Sequence, residues 1–275
     1  MTIAYVFSGG ASLGAVQVGM MQALEDEGVA PDAVFGTSVG AMNAAFVAGG
    51  GTADDLAKIW QGLTSRSVFP LHPILGLRAF LGKQNHSVPN SGVRRVLRQH
   101  LNFDRLEDAP IPISVQATDA LSGDEVVLTS GSTVDAILAS ISLPGVFPPI
   151  TIGGKTLIDG GIANNTPINT AIAAGATEVW VLSTGYSCGI SELPKSSIAL
   201  ALHGVSLLVQ QRLVTETQRA TYPVPVHLVP PPCPLTVGPT DFSQSGHLID
   251  DARIGTEQWL RDGRPFALPL AGHAH

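Results

Sequence analysis

Three times in this chain an apolar, strand-like run ends directly in glycines, and that pattern limits the possible folds more than any other feature. Ile3 to Phe7 runs into Ser8-Gly9-Gly10, Ala33-Val34-Phe35 into Gly36-Thr37-Ser38-Val39-Gly40, and Thr156-Leu157-Ile158 into Asp159-Gly160-Gly161. The first two are followed by helical patterns. Val16, Met20, Met21, Ala23 and Leu24 recur at helical spacing, with Gly28 as a C-terminal stop. Met42 to Ala48 has almost no polar face and reads as a buried helix. Strands that hand over to helices in this way build parallel sheets covered by helices.

The same alternation continues. Ile113 to Ala117 and Val126 to Thr129 read as strands around a turn at Ser122-Gly123-Asp124, and a helix from Val134 to about Ser142 stops before Pro144. Thr166-Pro167 reads as an N-cap with proline at the first helical position. Glu178 to Ser183 and Val224 to Val229 read as buried strands, and an amphipathic helix from Gly246 to Leu260 closes the pattern. The expected class is α/β, with a mostly parallel central sheet and helices on both faces. We find no internal repeat and no linker, so residues 1–275 are expected to form one domain, with a core over about 3–263 and a tail at 264–275. The apolar stretch from Val68 to Gly82 reads either as core packing or as a flap over an acyl pocket.

Composition narrows the function. Apolar residues make up 44% of the 275 and charged residues 13%, about half the usual charged share of roughly 25%. The formal charge of −7 argues against nucleic acid, which needs a basic face. The N-terminus lacks the basic and long apolar regions of a signal peptide. Ser196 to Gln211 falls short of a membrane span because serines, His203 and two glutamines interrupt it. Two cysteines, Cys188 and Cys233, give neither a disulfide framework nor metal spacing, and reduced thiols in a cytoplasm are expected. The scattered histidines suggest no metal site.

Gly-x-Ser-x-Gly between a strand and a helix presents a serine hydroxyl on a sharp turn. The chain contains two matches, Gly36–Gly40 around Ser38 and Gly185–Gly189 around Ser187. Ser38 is preferred, because a strand precedes it and a helix follows at once, where the helix N-terminus favours developing negative charge. Ser187 is followed by a loop-like stretch. The loop Ser8-Gly9-Gly10-Ala11-Ser12-Leu13-Gly14 lacks the Lys-Ser/Thr of a phosphate-binding loop. Its inward N–H groups suit an oxyanion, with Gly9, Gly10 and Ala11 as the candidate donors. Asp159 is the candidate base. Alone, Asp-Gly-Gly reads as a turn; it gains weight beside the other two pieces.

Together these motifs resemble the patatin-like phospholipases. Asp159-Gly160-Gly161-Ile162-Ala163-Asn164-Asn165-Thr166-Pro167 and Ala139-Ser140 through Phe147-Pro148-Pro149 are similar to that family's later segments. The resemblance spans residues 3 to about 185 and implies a three-layer α/β patatin-like fold. It implies a Ser38–Asp159 dyad that needs no histidine, metal or cofactor, with Gly36, Gly40, Gly14, Gly160 and Gly161 as supports. A lipid or other acyl ester is the expected substrate, with peripheral membrane contact. Ala11 stands at the family's third glycine and Leu13 at its arginine. The first substitution tolerates an oxyanion hole if Ala11 keeps a negative φ, and the second opens neutral esters or thioesters. The weighed alternatives are a Ser–Asp–His triad using His203, His227 or Asp241 with His247, an acyltransferase sharing the acyl-enzyme, and a lipid-binding protein without turnover.

Overall fold

The strands are apolar on both sides, so the sheet they form must be covered on both sides. In the computed structural model, which describes residues 1–70, 72–184, 222–233, 237–238, 240–264 and isolated positions between 193 and 213, this is what is found. β1 (Ile3–Phe7) leads through a 3-10 turn at Ala11–Gly14 into α1 (Ala15–Asp26), and β2 (Ala33–Thr37) leads into α2 (Val39–Ala48). Helices α3 (Ala53–Gly62), α4 (Ser65–Val68), α5 (Pro73–Phe80) and α6 (Ser91–His100) follow. Then come β3 (Ile113–Asp119), β4 (Glu125–Leu128), α7 (Thr133–Ser140), β5 (Ile150–Ile152), β6 (Lys155–Asp159), α8 (Gly161–Asn164), α9 (Ile168–Ala173), β7 (Glu178–Leu182), β8 (Val226–Val229) and α10 (Ser245–Arg261).

The sheet order is β5-β6-β3-β2-β1-β7-β8, with β4 also paired to β3. β3, β2, β1, β7 and β8 run parallel, and the β4, β5 and β6 pairings are antiparallel. Alternation along β1 splits the core. Tyr5 and Phe7 join the larger cluster with α1, α2, α3, α6, α7 and α10, while Ala4 and Val6 join a smaller one with Ile168 and Ala171 of α9. The result is three layers.

One register decides what the sheet does. β4 occupies one edge of β3 along Val115–Thr118. The segments of β3 bonded to β2 and to β6 must therefore share the opposite edge. Thr37 of β2 lies opposite Gln116, and Asp159 of β6 lies opposite Ala117, the next residue of β3. Two strands arriving from opposite directions thus stop end to end, and the residues just past and at their tips, Ser38 and Asp159, meet.

Several sequence expectations are corrected here. α9 is capped by Pro167, not Thr166. The Thr166 carbonyl accepts from the Ile168 N–H at 2.8 Å, and the Thr166 hydroxyl is buried with no partner among the described residues. Cys233 is disulfide-bonded rather than a reduced thiol, and Cys188 lies outside the described residues. Val68 and Phe69 pack on the core, but Ile74, Leu77 and Leu81 are exposed, so core packing fails for these three residues of α5 and its terminal turn. No helix among the described residues is long and apolar enough to cross a membrane.

α1 and α10 pack closely across Gly19. A methyl group there would run into the Ile249 carbonyl oxygen and come within 2.7 Å of the Arg253 backbone nitrogen. Neither backbone can yield without moving a helix. Gly19→Ala is therefore expected to destabilise the protein by about 1–3 kcal/mol, read as a lower urea midpoint at unchanged slope.

Candidate active site

Ser38 sits between β2 and α2 with φ 54° and ψ −125°, a region that costs a non-glycine residue of order 1–3 kcal/mol. Its neighbours hold it there. A side chain at Gly40 would collide with the Phe7 carbonyl, so only glycine lets α2 cross the end of β1 this closely. The Ser38 N–H donates to Ser140 Oγ at 2.8 Å, and Ser140 Oγ donates to the Gln116 carbonyl at 2.5 Å. α7 is thereby fastened beneath the turn.

Ser38 Oγ donates to Asp159 Oδ2 at 2.7 Å, and the Gly161 N–H donates to Oδ1 at 2.8 Å. Asp159 is 6% exposed. Burial raises its carboxyl from 3.8 to about 6, against the pull of the Ser38 and Gly161 hydrogen bonds, which favour the ionised form. Its backbone is tied down as well. Thr118 Oγ1 donates to the Asp159 carbonyl at 2.8 Å, and the Asp159 N–H donates to Ser142 O at 3.0 Å. Gly160 then closes against the Gln116 carbonyl, where a side chain would clash.

The glycine-rich loop passes beside this pair, with a methyl group at Gly9 projected 3.0 Å from Ser38 Cβ. Its peptides are oriented by their carbonyls. Gln17 Nε2 donates to the Ser8 and Leu182 carbonyls, each at 2.9 Å. Thr184 Oγ1 donates to Gly9 O at 2.6 Å and Asn165 Nδ2 to the same oxygen at 3.4 Å. Leu13 N–H donates to Gly10 O at 3.2 Å. A trans peptide sends its N–H opposite to its carbonyl, so these bonds aim the Gly10 and Ala11 N–H groups the other way. Neither N–H has a partner among the described residues. The Gly9 N–H differs, because it donates to Asn165 O at 3.4 Å. Of the three expected donors, two are free and one is occupied.

Ala11 has φ 53°, not the negative φ the sequence reading required. The backbone keeps a conformation suited to glycine and strains the alanine to do so. Leu13 packs partly against the core, and Gly14 lies at the end of the 3-10 turn against Val39 and Trp60. Gly36 lies under Ala41, and Gly161 lies beside Asn165.

Sequence reasoning missed the braces. Gln17, Ser140, Thr118, Asn165 and Thr184 carry the hydrogen bonds just described. Asn43, fully buried, donates to Gly14 O and Gln17 Oε1 and accepts from Trp60 Nε1. The only advance signal was a lone glutamine or asparagine within an apolar helix. Ser187 lies outside the described residues. His227 pairs with Glu178 at 2.9 Å and His247 with Asp251 at 3.3 Å, while Asp241 accepts from Ser243. The bond from Ser38 to Asp159 is direct, with no imidazole between them.

These features define a three-layer α/β protein whose elbow serine is hydrogen-bonded to a strand-end aspartate. A model of the patatin-like phospholipase family matches residues 5–172, more than half the chain, and the protein belongs to that family. It is 32% identical over 192 residues to mouse patatin-like phospholipase domain-containing protein 7, covering 66% of this chain and 14% of that protein. It is 30% identical over 185 residues to an uncharacterized NTE family protein of Mycobacterium tuberculosis (65% and 29% covered). It is 29% identical over 192 residues to Lysophospholipase NTE1 of Mycosarcoma maydis (67% and 10% covered). The chain thus matches less than a third of the length of each of these relatives. VipD from Legionella pneumophila shares the fold, with a TM-score of 0.54 at 15% identity over 96% of this chain and 67% of that one.

The raised Asp159 carboxyl has a stability consequence. Unfolded it titrates near 3.8 and folded near 6, so folding favours the protonated form. The stability this contributes is full below 3.8 and lost as pH rises through 6, a cost of about 3 kcal/mol at neutral pH. Asp159→Asn removes the titration. Its urea midpoint relative to wild type is expected to rise between about pH 4 and about pH 8; a pH-independent difference would mean that the carboxyl is not raised.

Proposed function

We propose that this protein is a serine acyl hydrolase of lipid esters, with residues 3–263 acting as one catalytic domain. Ser38 is the nucleophile and Asp159 the general base. The observation that carries this reading is the 2.7 Å hydrogen bond from Ser38 Oγ to Asp159 Oδ2, on an elbow whose strain is otherwise without purpose.

In the forward step Ser38 Oγ attacks the ester carbonyl carbon and its proton passes to Asp159 Oδ2. Negative charge gathers on the carbonyl oxygen, and the Gly10 and Ala11 N–H groups and the N-terminus of α2 are the donors available to it. Collapse breaks the bond to the alcohol, which leaves with the proton from Asp159. Water then enters, gives a proton to Asp159 and attacks the acyl-enzyme. The acid departs and Ser38 recovers its proton. A carboxyl near 6 is a stronger base than one near 4, and it is ionised at neutral pH.

The oxyanion loop itself has no charged residue from Ser8 to Gly14. Recognition there falls on the acyl ester and not on an anionic head group. Family membership and the similarity to Lysophospholipase NTE1 support a lipid ester as the substrate class.

The test uses a fluorophosphonate probe and p-nitrophenyl esters. Ser38 is expected to be the labelled residue, and Ser38→Ala and Asp159→Asn are expected to lose turnover by about 10³-fold or more. Ser187→Ala should stay near wild type. Full labelling in Ser38→Ala would end this reading. In wild type, kcat/KM should rise with pH and level off above an apparent pKa of about 6. Individual replacement of His203, His227 and His247 should leave that profile in place.

A further inference from the structure

α5 turns its apolar side outward. Ile74, Leu77 and Leu81 are 74%, 59% and 56% exposed, and they recur at helical spacing along α5 and its terminal turn. Single exposed leucines are ordinary. A row of them on one short helix is the pattern of an element that lies in a lipid–water boundary.

The sequence on either side of that row is one-sided in charge. Residues 56–103 hold seven of the chain's 15 lysines and arginines, and none of its 22 aspartates and glutamates. Lys58 pairs with Asp55 and Arg94 with Asp135. Arg66, Arg78, Lys83, Arg95 and Arg98 are exposed and meet no acidic side chain among the described residues. In a protein of net charge −7, this stretch of the sequence is cationic. Two copies meeting through it would repel each other, whereas an anionic surface would be drawn to it.

Its position links it to the site. Phe69, before α5, stacks on Phe147 at 5.4 Å. After α5, the Ser87 and Val88 N–H groups donate to Val146 O at 3.2 and 2.9 Å, and Ser87 Oγ donates to Gly145 O. The turn they grip is continuous with Ser142, whose carbonyl receives the Asp159 N–H and whose hydroxyl donates to Pro148 O. Both stems of α5 therefore hang from the segment that frames Asp159.

We propose that α5 is an interfacial docking helix that seats this protein on an anionic lipid surface. Ile74, Leu77 and Leu81 enter the acyl boundary, while Arg78 and Lys83, on the same segment, meet lipid phosphates. This rests on the reading of the substrate as a lipid ester, but it uses none of the residues in that chemistry.

The experiment is flotation of the full chain with vesicles of phosphatidylcholine alone or with about 30% phosphatidylglycerol. Wild type is expected to float with the anionic vesicles, and to be released by salt. Ile74→Glu/Leu77→Glu and Arg78→Glu/Lys83→Glu are each expected to lower that binding by about tenfold or more. Soluble p-nitrophenyl ester turnover should be retained in both, which also reports that they fold. Wild type that floats with neither vesicle, or variants that bind anionic vesicles as wild type does, would overturn the proposal. So would self-association or capture of an acidic protein through α5 with no vesicle binding. If Ser38→Ala kept full ester turnover while vesicle binding followed α5, the dyad would fall and the docking surface would stand.

Discussion

The rest of this structure is arranged around a serine hydroxyl held 2.7 Å from a carboxylate that water hardly reaches. A desolvated carboxylate is costly unless donors surround it. Asp159 receives one donor on each oxygen, from Ser38 and from Gly161, fewer than water would offer. Burial therefore outweighs the hydrogen bonds, and the carboxyl is held at about 6. A more generously bonded aspartate would be more stable when ionised and a weaker base. The site gives up folding stability at neutral pH and gains basicity from the same arrangement.

That arrangement has to be braced, because two backbone positions beside it are strained. Ser38 and Ala11 both have positive φ without being glycine, each of order 1–3 kcal/mol. The compensation is a buried polar network under the loop. Gln17 joins the carbonyl ends of β1 and β7, Asn43 joins Gln17 to Gly14, and Trp60 closes onto Asn43. A network of this kind is stabilising only while its members are satisfied. Its members come from α1, α2 and α3, so the helical layer and the loop geometry cannot vary independently.

What was legible in the sequence follows from range. Strands apolar on both faces identify themselves locally, and β1, β2, β3 and β7 lie where their Val, Ile and Phe runs put them. The amphipathic α10 was equally plain. α3 was missed although Thr52 caps it through the Asp55 N–H, because its short apolar stripe is interrupted by charge. Ala11 misled in a different way. Residue identity argues for negative φ, but the pinned Gly9 and Gly10 carbonyls impose the opposite sign. For α5 the apolar run left core packing and a flap both open, because burial needs a layer on the other side and no local pattern tells whether one exists. The braces were invisible because a buried glutamine acquires meaning only from the carbonyls it meets.

The contact between β2 and β6 was also beyond local reading, and it bears on why the chemistry would run without histidine. In a triad the acid stands behind an imidazole and reaches the serine through it. Here the antiparallel β6 ends against the tip of β2 along a shared edge of β3, one residue apart in register. The carboxylate at that tip reaches the hydroxyl directly, and a 2.7 Å contact leaves no space for a ring. With no intermediary to carry a pKa near neutrality, the acid itself has to be tuned upward. Burial of the carboxyl supplies that shift. On this reading strand register selects the dyad, and desolvation makes the selected pair serviceable.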